Sequence, residues 1–492
     1  MQNGTLIAAV DLGSNSFRLE IGRYGHGHIQ RVEYLKETVR QGGGLDDNRN
    51  LSPDAMQRGW DCLARFAERL HGFAPAQVRA VATQTLREAR NREEFIRRGN
   101  AILGYPIDII SGPEEARLIY QGVARLLPQS DEKRLVVDIG GRSTEIILGQ
   151  QFAPSAVASF PVGSVSWSSR FFADGALTRD AFQAAEIAAQ AVFDEALATY
   201  PAGSWEVAYG SSGTVGAVGD VLAAAGYPAG QITREGLDWL HEQLLRARHV
   251  DKLRLEGMKE DRRPVIGGGV SVLRAVFSVL GIEQMQVAQG ALRQGALYDL
   301  IAREAPETDL RTAAVAGLMQ RFAVDQAHAE RVARVACALF ALVSAGDRSG
   351  QRELAWAASL HEIGCHIAHH DYHRHGAYIL EHADAAGFAA SELHGLGLLV
   401  LGHRGKPRKL AVVDWADERF ALQLACLRLA VALCHARREP DVVGITLERK
   451  GNRLTVGARA GWAEAYPQSA HLLREEGAAW QRTPWEVEVG LG

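Results

Sequence analysis

Apolar and polar positions alternate along residues 5–12 and again along 17–23, with Gly13-Ser14-Asn15-Ser16 between them. A period of two predicts a pair of strands, and the four intervening residues carry turn chemistry. The pattern returns at 134–139 and 144–149, again around a glycine turn. This weak internal repeat, with a period of about one small domain, predicts a duplicated fold. Leu51-Ser52-Pro53 opens an amphipathic helix reaching about Leu70, and short strands are expected at Val78–Thr83 and Ile107–Ile110. Ser111-Gly112-Pro113-Glu114-Glu115 then starts another helix: a polar cap, a proline in the first turn and acids behind it. Its buried face is expected to carry Ala116, Ile119, Val123 and Leu126.

Pro128–Lys133 is a polar break and the expected boundary between the two halves. Val207–Gly213 and Pro264–Gly269 each read as a strand running into glycines. From about 306 the pattern turns helical, over 310–323, 326–345, 351–368, 373–384, 391–403 and 418–437. Gly444–Leu447 and Arg453–Gly457, flanking Lys450-Gly451-Asn452, predict a hairpin.

Composition narrows this only a little. With 492 residues the chain exceeds one core, and 47% hydrophobic with 23% charged residues is ordinary for a globular protein. A formal net charge of -4 argues against a general nucleic-acid coat, so a polyanion site must come from a local cluster of Arg and Lys. Five scattered cysteines exclude a disulfide framework and a thiolate zinc site. Neither a signal peptide nor an apolar run long enough for a bilayer is expected, which predicts a cytoplasmic protein without integral membrane contact.

The glycine turns carry the candidate chemistry. Glycine lets backbone donors approach a phosphate oxygen, and Asn15, Ser16, Ser143 and Thr144 add side-chain donors. Asp11 and Asp138 each end the strand before a turn, a suitable place for a carboxylate holding a divalent cation beside phosphates. Gly210-Ser211-Ser212-Gly213-Thr214 and Gly267-Gly268-Gly269 are expected to join them in one cleft.

The strings DLGSNSFRL, VATQTLREARN, ISGPEEARLIYQGV, VVDIGGRSTEIILG, GSSGT and QGALRQGALYDL resemble the exopolyphosphatase and guanosine-pentaphosphate phosphatase family. The helical remainder is similar to its long bacterial members. The resemblance implies an α/β fold with duplicated actin-like (ribonuclease H-like) domains, 1–127 and 128–304. An all-α His-Asp-phosphohydrolase-like domain, 305–437, and a small C-terminal α+β piece, 438–492, follow. It also implies Mg²⁺ dependence, a homodimer and hydrolysis of a terminal phosphoanhydride bond. By the same resemblance Glu115 is the general base, while Asp138 and Glu145, with Asp11 nearby, hold Mg²⁺ and water. Gly13, Ser14, Gly140, Gly141, Arg142, Gly213, Thr214, Arg87 and Arg262 are then phosphate contacts. Ser164 stands where related enzymes carry cysteine, so no thiol is required. Arg142 departs from the family's D-I-G-G-G-S-T; it either bends over a bound phosphate or projects into solvent.

In the helical half, His328 and Leu360-His361-Glu362-Ile363-Gly364, read as helical, resemble His-Asp metal phosphohydrolases, whose adjacent His and Asp bind a metal. Glu362 replaces that Asp, which implies helices kept and a second activity lost. His366, His369, His370, His373 and His375 at mixed spacing read as surface or polyanion-facing residues rather than as a metal site. His373, Arg374 and His375 with Arg404, Lys406, Arg408 and Lys409 are expected to form a basic lane for a long polyphosphate. The expected activity is therefore processive hydrolysis of inorganic polyphosphate from its end. Guanosine pentaphosphate 5′-phosphatase is the alternative substrate reading, and a non-hydrolytic actin-like nucleotide-binding regulator is the alternative in kind.

Overall fold

The computed structural model describes residues 1–128, 130–304, 309–410 and 413–491, which form two compact units, 1–309 and 310–492. The expected change of character near residue 306 lies outside the described residues.

Unit 1 contains two sheets with the same core topology. In the first, strands β1 (Leu6–Leu12), β2 (Ser16–Gly25), β3 (His28–Thr38), β4 (Val78–Ala82) and β5 (Ile107–Ile109) take the order β3-β2-β1-β4-β5. In the second, β6 (Lys133–Ile139), β7 (Thr144–Gln150), β8 (Ala153–Phe160), β9 (Val207–Ser211), β10 (Gln231–Thr233) and β11 (Gln284–Val287) run β10-β11-β9-β6-β7-β8. Read from its far edge, the second sheet repeats the first and adds β10. Each begins with an antiparallel meander and continues with parallel strands. This is the duplicated actin-like arrangement. The central strands are nearly all buried, β1 and β6 on both faces, as expected of strands with helices packed over them.

Local chemistry explains the element boundaries near the cleft. Ser52 and Ser111 cap the helices Pro53–Arg69 and Gly112–Ala124, their hydroxyls accepting from Ala55 N (3.3 Å) and Glu114 N (3.2 Å). The second helix is fixed from below by a buried ion network. Arg117 pairs bidentately with Glu114 (2.8 and 2.7 Å) and reaches Asp299 (2.7 Å) on the helix Leu292–Glu304. Glu114, at the helix start, is 2% exposed and therefore an internal anchor.

Two expectations fail here. Pro264–Gly269 is not a strand: a short 3₁₀ turn, Arg263–Val265, leads straight into the helix Ile266–Leu280. Its glycines serve helix packing, with Gly268 N donating to Ser168 Oγ (3.1 Å) on the helix Ser164–Phe171. In addition, Arg263–Leu280 is long and apolar enough, by length and composition, to cross a membrane. It is 67% buried inside unit 1, as the core helix of a globular unit would be.

Unit 2 is helical, with Leu310–Arg321, Gln326–Val343, Tyr372–His382, Ala390–Gly402 and Glu418–Leu433 near the expected spans, whereas Arg348–Leu360 ends well before the expected 368 and a 3₁₀ turn, Ile363–His366, follows. His361 and Glu362 fall just past the end of a helix rather than within it. The C-terminal hairpin forms as β12 (Ile445–Lys450) and β13 (Arg453–Ala458), and β14 (Glu486–Leu491) adds in parallel. Leu447, Trp462, Trp480 and Trp485 share one hydrophobic core with the helices.

Replacing Arg117 with Ala removes the guanidinium that two buried carboxylates share, although Asp299 keeps Arg303 (2.8 Å). It should cost about 3–5 kcal/mol of unit 1 stability, read as a lowered denaturation midpoint.

Candidate active site

The glycine turns of the two meanders face each other. An ideal Cβ on Gly141 would lie 3.2 Å from Ser14 Cβ and 3.6 Å from Asn15 N, so a residue without a side chain is what lets the turns approach. Between them opens a cleft of about 670 Å³. Asp11, Gly13, Ser14, Asn15, Ser16, Glu115, Asp138, Gly140, Gly141, Ser143, Ser164, Gly213, Thr214 and Arg262 all line it, as the sequence leads one to expect. Glu145, Arg87, Arg142 and Thr144 do not line it, and each has a definite place behind it.

Cross-strand register explains the acids. Asp138 on β6 pairs with Glu145 on β7, and Glu145 in turn faces Ser159 on β8. Glu145 is thus on an interior strand with 1% of its surface exposed, not at an edge. Its Oε1 accepts from Ser159 Oγ (2.8 Å), while its Oε2 is buried without a hydrogen-bond partner. Burial and the charges of Glu115 and Asp138 raise its pKa well above the ordinary 4.5. Asp138 is raised too, chiefly by burial, although a hydrogen bond from Ser211 opposes the shift.

Glu115 sits in the first turn of its helix, and its Oε2 accepts from Arg87 Nη1 at 2.8 Å. Burial raises its pKa; Arg87 opposes this, whereas Asp11 and Asp138 reinforce it. The same guanidinium donates to the Ile110 carbonyl (2.9 Å) and to Gln84 Oε1 (3.1 and 2.7 Å). Arg87 therefore orients the Glu115 carboxylate.

Arg142 follows neither expected course. It crosses to the other sheet's lobe, donating to Glu88 Oε2 (2.6 Å) and the Gly42 carbonyl (3.3 Å). Thr144 is fully buried, its hydroxyl donating to Val162 O (2.6 Å).

Two cations in the cleft lack a tight acidic partner. Arg18 Nη1 lies 3.6 Å from Asp11, and Arg262 Nε lies 3.9 Å from Asp261. Burial and the nearby Arg18 lower the pKa of Arg262, which favours an incoming anion. Arg262 rests on Gly213, where any Cβ would collide with the guanidinium. Sequence reasoning missed Arg18. Its signal was available: Arg18 stands seven residues after Asp11, as Glu145 stands seven after Asp138. Ser212, expected in the cleft as part of its glycine-polar cluster, lines it and is held at φ 94°, a conformation rare outside glycine.

The donor set suits Mg²⁺: hard carboxylate oxygens, one of them buried and unsatisfied. Among the described residues, the one group offering three such ligand atoms within 4.8 Å of one another is His328, His361 and Glu362 in unit 2. At the cleft, Asp138 and Glu145, with Asp11 nearby, are the carboxylates that could hold such an ion.

The basic residues of unit 2 lie at its surface. Arg374 is 4.0 Å from Asp371, Arg404 lies over the Tyr372 ring at 5.0 Å, and Lys406, Arg408 and Lys409 are exposed around the turn Pro407–Lys409. His373 and His375 are half-buried on the neighbouring helix.

The Ppx/GppA phosphatase family matches residues 21–304, and its domain III matches 310–477. Guanosine-5′-triphosphate,3′-diphosphate pyrophosphatases of Vibrio cholerae and Photobacterium profundum are both 38% identical to the chain. The first aligns over 98% of this chain and 98% of its own, the second over 98% and 97%. An exopolyphosphatase structure from Cytophaga hutchinsonii (24% identity, TM-score 0.54) covers 60% of this chain and 98% of its own. The Aquifex aeolicus Ppx/GppA family member (22%, TM-score 0.52) covers 61% and 98%. These two support the fold alone. The expectation of an exopolyphosphatase is overturned by the full-length relatives, which are named for a guanosine nucleotide, and the basic lane loses the ligand that motivated it.

A raised folded-state pKa means that the contribution of Glu145 to stability is complete below pH 4.5 and is lost as pH rises through the raised value. The melting temperature of chelator-treated protein should fall as pH rises above 4.5, and Glu145→Gln should flatten that fall. The chain belongs to the Ppx/GppA phosphatase family.

Proposed function

We propose that this chain is a guanosine pentaphosphate 5′-phosphohydrolase, converting guanosine 5′-triphosphate 3′-diphosphate to guanosine 3′,5′-bis(diphosphate) and orthophosphate. The observation that carries this reading is the 38% identity, over nearly the whole of both chains, to relatives named for that nucleotide. The cleft supplies matching chemistry: facing phosphate turns, two loosely paired guanidinium groups and a buried, oriented carboxylate.

Water attacks the terminal phosphorus of the 5′-triphosphate. A new P–O bond forms, and the bond from that phosphorus to the bridging oxygen breaks. The electron pair stays on the diphosphate. Glu115 takes the proton from the attacking water; its raised pKa makes it a better base than an exposed glutamate. Arg87 fixes the acceptor oxygen, while Arg18, Arg262 and the turn amides stabilise charge on the phosphoryl oxygens. Mg²⁺, held by Asp138 and Glu145 with Asp11 beside them, would neutralise phosphate charge when bound. Mg²⁺ dependence, a homodimer, a cytoplasmic location and the His-Asp phosphohydrolase character of the helices belong to the same proposal.

Phosphate release should be at least roughly tenfold more efficient, in kcat/KM, on the guanosine nucleotide than on long-chain polyphosphate; comparable efficiencies reject the assignment. Glu115→Gln should lower kcat by roughly 10²–10⁴-fold with KM little changed. Because the base acts only when deprotonated, the acid limb of kcat/KM in the wild type should lie above pH 4.5.

A further inference from the structure

Unit 2 holds a second donor cluster that the phosphatase chemistry does not use. His328 lies in the first turn of Gln326–Val343, and His361 and Glu362 directly follow Arg348–Leu360. One potential ligand atom from each lies within 4.8 Å of the other two. Both imidazoles are buried, His361 at 1% and His328 at 6% exposure. His361 Nδ1 is 2.7 Å from the Ala358 carbonyl. That contact needs a proton on Nδ1, so Nε2 keeps its lone pair, the arrangement in which backbone carbonyls orient metal-binding histidines. The His403 ring packs edge-on behind His361 at 5.4 Å and is itself held by the Val400 carbonyl at 2.6 Å. The ring therefore has little freedom to turn away.

A cation already occupies the carboxylate. Arg437 Nη2 donates to both Glu362 oxygens (2.7 and 2.8 Å), while its Nη1 reaches Asp325 (2.9 Å). Arg437 is half exposed, lies at φ 55° beyond the helix Glu418–Leu433, and has Asp325 as a second acceptor. It can release Glu362 while remaining paired. Arg331 Nη1 donates to His328 Nδ1 (3.3 Å), so the imidazole ligates through Nδ1 once this guanidinium turns away, or through Nε2 once its proton has moved to Nδ1. Two imidazole nitrogens and one carboxylate oxygen form a donor set for Zn²⁺ or Co²⁺, unlike the all-oxygen set of the cleft.

We propose that His328, His361 and Glu362 bind one transition-metal dication of the Zn²⁺ or Co²⁺ class, exchanging it for the Arg437 guanidinium. Substitution of Glu for the Asp of metal phosphohydrolases keeps a carboxylate in the set, so loss of a second activity does not entail loss of the ion. The site is a metal-for-arginine switch within one helical unit, with no catalytic step assigned to it.

The test is titration of the chelator-treated full chain with Co²⁺, followed by visible absorption and calorimetry, in a background where Asp138→Asn weakens the cleft. The expected result is one Co²⁺ per chain with the d–d spectrum of mixed nitrogen and oxygen ligation. His328→Gln should abolish it, and Arg437→Gln should tighten it by roughly tenfold or more, the worth of one charge-assisted pair. His361→Gln repeats the first variant, with circular dichroism confirming that the helices persist. Wild-type protein that takes up no such ion overturns the proposal, as does a His328→Gln variant with unchanged uptake or an Arg437→Gln variant with weaker uptake.

Discussion

Everything in unit 1 answers to a crowding of carboxylates away from water. Asp11, Asp138, Glu115 and Glu145 meet where two sheets present matching hairpins, and burial penalises the charge on the last three. Such a cluster survives only if rigid elements hold it, because each acid alone would move toward solvent or stay protonated. Hence the nearly fully buried β1 and β6, the anchored helix Gly112–Ala124 and the guanidinium fixing Glu115. What destabilises the cleft is what a bound cation would relieve. The binding energy is prepared before the ligand arrives.

The duplication is an economical route to that arrangement, and its broken symmetry matters as much as its repetition. Both hairpins place Asp at the end of the first strand. Directly across the ladder the first lobe offers Arg18 and the second offers Glu145. One lobe thus presents a positive partner for phosphate, the other a buried negative one. Two identical lobes would give either two phosphate grips or two acid pairs, and neither suits hydrolysis.

Much of this was legible in the chain. Alternation around glycine turns, Ser-Pro caps and the return of the pattern after residue 130 are local signals, and the corresponding elements form within a residue or two of expectation. Gly267–Gly269 misled because glycine marks both a turn and a close helix contact, and only the partner helix distinguishes them. Arg142 could not be placed because its partner, Glu88, is 54 residues away and on the opposite lobe. Arg18 went unremarked because a polar residue on an alternating strand carries no mark of its own that it faces a cleft. Substrate identity was not legible for a chemical reason: the end of a polyphosphate and a nucleotide 5′-triphosphate present the same scissile bond.

The Arg142 contact has a mechanical side. In place of the glycine that the family resemblance leads one to expect, this chain has a side chain long enough to reach the other lobe, and its ion pair joins Glu88 to the second glycine turn. Any parting of the lobes must break that pair or carry Glu88 along. Both partners are about one-fifth exposed, so dissolved ions reach the contact and weaken it. Arg142 thus ties the two lobes through a contact that rising ionic strength loosens and that a glycine at the same position cannot form.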